Sequence, residues 1–199
     1  MTRHSPGDLR RARPAAALAL AAALAATTAA SGAAPDSADG GTAVVVLAAR
    51  SIGSRRGDPP EARAHAALLV RFGDRREGFI VQAGKVPAPG LFAGSRVVGW
   101  VIPAADPPGE FARAVGGYWG EPGVRELPTR EVARFAVKGL TEAGLRALVD
   151  SLNAELRDRD YRLEGGPSSN SFVSRLLDRL GIGLPPPGDV ELPGWGWRP

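Results

Sequence analysis

The stretch Gly165-Gly166-Pro167-Ser168-Ser169-Asn170-Ser171-Phe172-Val173 constrains this chain more than any other. A polar turn runs directly into residues with helical apolar spacing. Phe172, Val173, Leu176, Leu177 and Leu180 make one stripe, and Gly181 follows as a natural C-cap. The helix is predicted to begin at Ser168 or Ser169, and Pro185-Pro186-Pro187 forbids its continuation. A serine hydroxyl at such a helix start meets free N–H groups and the positive end of the helix dipole, a setting for a nucleophile or an anion. Capping alone accounts for Ser168, with Ser169 and Asn170 satisfying further N–H groups. Adding Ser171 exceeds what a cap needs.

The N-terminus has a different character. Arg3, Arg10, Arg11 and Arg13 precede the apolar run Ala15 to Ala26, and small residues then lead to Ala34. This is the layout of a bacterial secretory signal, with cleavage expected after Ala30 or Ala34. The apolar run is short for a membrane span. We expect residues 1–34 to be a signal peptide or N-terminal anchor, 35–41 a flexible lead-in, and 42–199 one domain. The protein is then expected to be periplasmic or secreted, touching a membrane only through an uncleaved N-terminus.

That division changes the meaning of the charge. The chain has 25 basic and 21 acidic residues, a net +4. Four of those Arg and one Asp lie in the first 34 residues, so the remainder carries +1. The basic balance reflects arginine usage and the leader, not a nucleic-acid footprint. No cysteine is present, which removes disulfides, thiolate chemistry, lipoprotein anchoring and cysteine-based metal sites. No His/Cys/acid spacing suggests a metal site, and no cofactor is implied.

Short apolar runs predict strands over residues 43–48, 65–72, 77–82, 96–102 (closed by Pro103) and 132–137. Gly73-Asp74-Arg75-Arg76 is a hairpin-like turn. A short helix is expected from Phe111 to Val115. Thr141 is a candidate N-cap for an amphipathic helix carrying Leu145, Leu148, Val149, Leu152 and Leu156 and ending near Arg159. The class is α+β, an antiparallel sheet packed against helices.

His65 is the only histidine beyond the leader, so any serine–histidine chemistry must use it. Glu77 and Gln82 fall on the strand expected to pair with that of His65, and either one suits the role of orienting an imidazole. A half-buried histidine bonded to a loop carbonyl and a solvated strand face are the plainer readings of the same residues. Trp100, Tyr118, Trp119, Trp195 and Trp197 are candidates for lining a groove or for packing core edges.

The order of a histidine at a strand start, a paired strand, a helix and then a polar helix opening resembles the circularly permuted papain-like superfamily. That group includes the lecithin:retinol acyltransferase relatives and the PPPDE-type isopeptidases. Gly166-Pro167-Ser168-Ser169-Asn170-Ser171-Phe172 followed by Leu184-Pro185-Pro186 is similar to a bacterial family of unknown function. The hallmark of that family is Gly-Pro-Asn-Ser-Asn-Thr-Phe before Leu-Pro-Pro. Val98-Gly99-Trp100 and Tyr118-Trp119 also look familial. The resemblance spans about residues 43–190 and implies a permuted papain-like fold with Ser169 at the nucleophile position. Ser169 stands where active superfamily members carry cysteine, and Ser168 stands where the bacterial family carries asparagine.

Two functions follow as expectations. In one, the protein is a cell-envelope hydrolase or acyltransferase for an amide or ester. Ser169 attacks, His65 is the base, and Glu77 or Gln82 orients the ring. In the other, an inactive relative binds an envelope peptide, glycan or lipid through Ser168, Asn170, Ser171 and Trp100.

Overall fold

A computed structural model describes residues 41–51, 63–87, 94–115, 124–163, 165–183 and 190–198. The side chains of residues 114, 115, 124 and 125 lie outside this description. Contacts divide the chain into Met1–Ala38 and Asp39–Pro199, and all described residues belong to the second unit. The expected signal segment, the lead-in as far as residue 40, the Gly116–Gly120 run and the Leu184–Pro187 run lie outside the described residues. None of the described helices is long and apolar enough to cross a membrane.

Five strands form an antiparallel sheet: β1 (Thr42–Ser51), β2 (Ala64–Phe72), β3 (Gly78–Pro87), β4 (Ser95–Ala104) and β7 (Thr129–Lys138). Their order is β4-β3-β2-β1-β7. Helices α1 (Pro107–Ala112), α2 (Glu142–Leu156) and α3 (Ser169–Arg179) pack on it, and β5 (Arg113–Val115) pairs with β6 (Val124–Glu126). The architecture is α+β.

β1 and β2 are almost continuously apolar because both faces of the sheet are covered. Ala43, Val45, Leu47 and Ala49 of β1, with Ala64, Ala66, Leu68 and Val70 of β2, point into the main core under α2 and α3. The alternate residues Val46, Ala48, Ala67 and Leu69 meet Phe111 of α1 on the opposite face. From α2 and α3, Leu145, Val149, Leu152, Leu156, Phe172, Val173, Leu176 and Leu177 are all buried. Phe172 lies over Gly99, where a Cβ would sit 2.2 Å from the ring. The side-chain amide of Asn153 brackets the same glycine, accepting from its N–H at 2.7 Å and donating to its carbonyl at 3.0 Å.

Several boundaries differ from the sequence reading. β3 starts at Gly78, leaving Glu77 in the exposed turn, and it continues to Pro87. β4 passes through Pro103 to Ala104. It forms the sheet edge, where a missing N–H leaves no ladder bond unmade. The expected helix at Phe111–Val115 is instead α1, begun by Pro107 and Pro108 in its first turn and followed by strand β5. Glu110 Oε1 accepts from the N–H groups of Ala105 and Asp106 and so fixes that earlier start. Thr141 caps α2 through the Gly144 N–H at 3.1 Å, and Gly181 adopts φ +72° beyond α3.

Candidate active site

β2 and β3 pair only over Leu68–Val70 and Phe79–Val81. Beyond Val81, β3 stays with β4 as far as Pro87 and parts from β2. The N-terminus of α3 occupies the place β3 leaves. Asn170 follows Ser169 there and bonds to the backbone of β2, accepting from Ala66 N–H at 2.8 Å and donating to Ala64 O at 3.0 Å.

This opening brings Ser169 to His65. Strand alternation turns the His65 side chain toward α1, with its ring centroid 6.4 Å from that of Phe111. Ser169 reaches it from the layer of α3, with Oγ 3.2 Å from Nδ1. The other ring nitrogen, Nε2, lies 3.3 Å from Gln82 Oε1. An amide oxygen only accepts, so Nε2 carries the proton and Nδ1 presents its lone pair to the serine hydroxyl. The three side chains therefore form a line from hydroxyl to imidazole to amide.

The electrostatics keep this imidazole neutral. The His65 pKa is lowered from 6.5 to about 4, first by burial and then by the charge of Arg50. The hydrogen bond to Gln82 opposes both. Arg50 is the cross-strand partner of His65. Its guanidinium donates to Phe111 O at 2.8 Å and Arg113 O at 3.2 Å and lies 4.9 Å above the Phe111 ring. His65 and Ser169 are each 8% exposed.

The neighbouring polar residues are engaged in the scaffold. Ser168 and Ser171 form a reciprocal capping box. Ser171 N–H donates to Ser168 Oγ at 3.2 Å, and Ser168 N–H donates to Ser171 Oγ at 2.7 Å. Ser168 Oγ also donates to Pro193 O at 3.2 Å. Ser171 Oγ donates to Ser168 O. Trp100 pairs with Gln82 across β3 and β4, so the two share the face of the sheet that carries His65. Trp100 is 40% exposed, the one exposed large hydrophobic among the described residues.

Glu77 is placed elsewhere. It lines an open cavity of about 330 Å³ with Phe72, Arg75, Phe79 and Glu142, at the turn joining β2 to β3. His65 lies at the opposite end of β2. Of the two residues expected to orient the ring, Gln82 is the one that lies against the imidazole.

The sequence reading missed the C-terminal tail as part of this region. Ala64 N–H donates to Glu191 O at 3.0 Å, and Pro193 O accepts from Asn170 Nδ2 at 3.2 Å as well as from Ser168. Gly194 (φ +76°) passes so close that a Cβ would lie 2.3 Å from Ser168 Oγ. Gly194 beside two tryptophans was the available signal. Among the described residues, no group of three His, Cys, Asp or Glu side chains is arranged to hold a metal ion. Comparisons with protein-family models, curated proteins and solved structures return no match.

Proposed function

We propose that this protein is a serine hydrolase or acyltransferase acting on an amide or ester, with Ser169 as nucleophile, His65 as general base and Gln82 as the residue orienting the ring. The observation that carries this reading is the approach of Ser169 Oγ to His65 Nδ1 at 3.2 Å with Nε2 held by Gln82. Ser169 Oγ attacks the acyl carbon while its proton passes to Nδ1. The C–O or C–N bond of the tetrahedral intermediate then breaks, and Nδ1 returns the proton to the leaving oxygen or nitrogen. The acyl group remains as an ester on Ser169 until water, or an acceptor alcohol or amine, attacks it with His65 again taking the proton; the bond from the acyl carbon to Ser169 Oγ then breaks and Nδ1 returns the proton to Oγ.

The N–H groups of Ser169 and Asn170 fall in the first turn of α3, where a helix leaves donors without internal acceptors. They are the donors we assign to the developing oxyanion. Gln82 fixes the tautomer without supplying a negative charge, so the imidazolium formed during attack is less stabilised than beside a carboxylate. Slow turnover is the consequence.

We further propose a permuted papain-like relationship, supported by the order of the histidine strand before the nucleophile helix. A cell-envelope setting is proposed on the leader-like residues 1–34. The test is hydrolysis of a panel of p-nitrophenyl esters and acyl-peptide amides by the chain from Pro35 onward. The expected result is turnover that Ser169→Ala and His65→Ala abolish while circular dichroism stays native. Turnover retained by Ser169→Ala overturns the proposal.

A further inference from the structure

We infer that Asn170 is the positioning residue that sets the distance between Ser169 and His65, and that it does so by locking β2 to the C-terminal tail. This inference rests on the Ser169–His65 reading. The Asn170 amide is 2% exposed and both of its N–H protons are used. One donates to Ala64 O at 3.0 Å and the other to Pro193 O at 3.2 Å, while Oδ1 accepts from Ala66 N–H at 2.8 Å. Ala64 and Ala66 are the residues immediately before and after His65. Asn170 is the residue immediately after Ser169. One amide therefore grips the backbone on both sides of the base and belongs to the same helical turn as the nucleophile.

The placement has a further logic. A serine carried by the helix layer reaches a histidine on the far face of the sheet only if the sheet is open between them. β3 provides the opening by leaving β2 after Val81. A simple opening would strand the Ala64 carbonyl and the Ala66 N–H, at a cost that buried backbone groups seldom bear. Asn170 supplies two of the hydrogen bonds β3 no longer makes, so the gap opens without orphaning the Ala64 carbonyl or the Ala66 N–H.

The tail closes the circuit. Ala64 N–H bonds to Glu191 O, and Pro193 O receives both Asn170 Nδ2 and Ser168 Oγ, the two residues flanking Ser169. Trp195 and Trp197 pack on the main core, and Gly196 N–H bonds to Ser174 Oγ at 3.3 Å. The geometry of the dyad thus depends on residues 191–196, beyond the helix that carries the serine.

The experiment combines two readouts on the full chain: the rate of fluorophosphonate labelling, and ¹⁵N chemical shifts of His65 with its titration midpoint. Asn170→Ala is expected to label at least tenfold more slowly at native circular dichroism. Its His65 midpoint should move up toward that of free histidine as the ring is released. Labelling within twofold of the parent protein, with His65 shifts unchanged, overturns the inference. If the parent protein itself fails to label, the serine-nucleophile reading fails. The His65 shifts then decide the role of Asn170 alone. If Asn170→Ala does not fold, Gly194→Ala is the second variant: it keeps the amide and displaces Pro193. An equal loss of labelling, or an equal movement of the His65 shifts, supports the inference, and no change in either contradicts it. In the unmutated protein the Ala66 amide must be protected from hydrogen exchange although β3 does not pair there, and fast exchange also overturns the inference.

Discussion

Lowering the pH should unfold this protein through His65 in a way that can be isolated and measured. The folded chain holds His65 neutral down to about pH 4, whereas the unfolded chain protonates it at 6.5. Between those values the unfolded state binds one more proton than the folded state. The contribution of His65 to stability is therefore fully present above pH 6.5, falls as the pH drops toward 4, and levels off below that. The drop from 6.5 to about 4, at 1.36 kcal/mol per pH unit, amounts to about 3 kcal/mol. A domain of this kind has only about 5–15 kcal/mol of stability in total. The assay is urea denaturation of the parent protein and of His65→Gln at pH 7 and pH 4. Carboxylates titrate alike in both proteins and cancel in the comparison. The parent protein should lose about 3 kcal/mol more than the variant between the two pH values. Equal losses would mean that His65 is protonated freely in the folded state, and the buried, neutral base would be refuted.

Further outcomes follow from the same geometry. Gln82→Glu places a carboxylate against Nε2, should raise the His65 pKa by roughly 1 unit or more, and should speed Ser169 labelling; NMR titration and labelling rates check both. Gly99→Ala forces a methyl group against the Phe172 ring, and chemical denaturation should show a loss of about 1–3 kcal/mol. Asn153→Ala leaves the Gly99 N–H and carbonyl without their side-chain partner, at about 1–3 kcal/mol by the same measurement.

Much of the scaffold is legible locally. The apolar runs of β1 and β2, the cap at Thr141 and the serine-rich start of α3 are set by neighbouring residues, and the chain folds there as its spacing suggests. The sole histidine after residue 34 and the polar helix opening also direct attention to His65 and Ser169, which the structure brings to hydrogen-bonding range. What was not legible depends on distant parts of the chain. Glu77 and Gln82 were equivalent on paper, and the start of β3 at Gly78 decides between them. The parting of β2 and β3 cannot be read from either strand, because its compensation comes from Asn170, about a hundred residues later. In sequence Asn170 looked like a cap or a ligand contact. Its amide is committed to the backbone. The Phe111–Val115 prediction failed because Pro107, Pro108 and Glu110 set an earlier start and the chain then pairs as β5.

Catalysis as proposed requires that Ser169 be an activated nucleophile and that His65 activate it. Fluorophosphonate labelling of the chain from Pro35 onward, mapped by mass spectrometry and followed from pH 3 to pH 8, tests this most directly. A single modification on Ser169 that His65→Ala removes is the expected result. Its rate should be flat above about pH 6 and fall with a midpoint of about 4. A folded protein that does not label, or that labels equally well without His65, contradicts it.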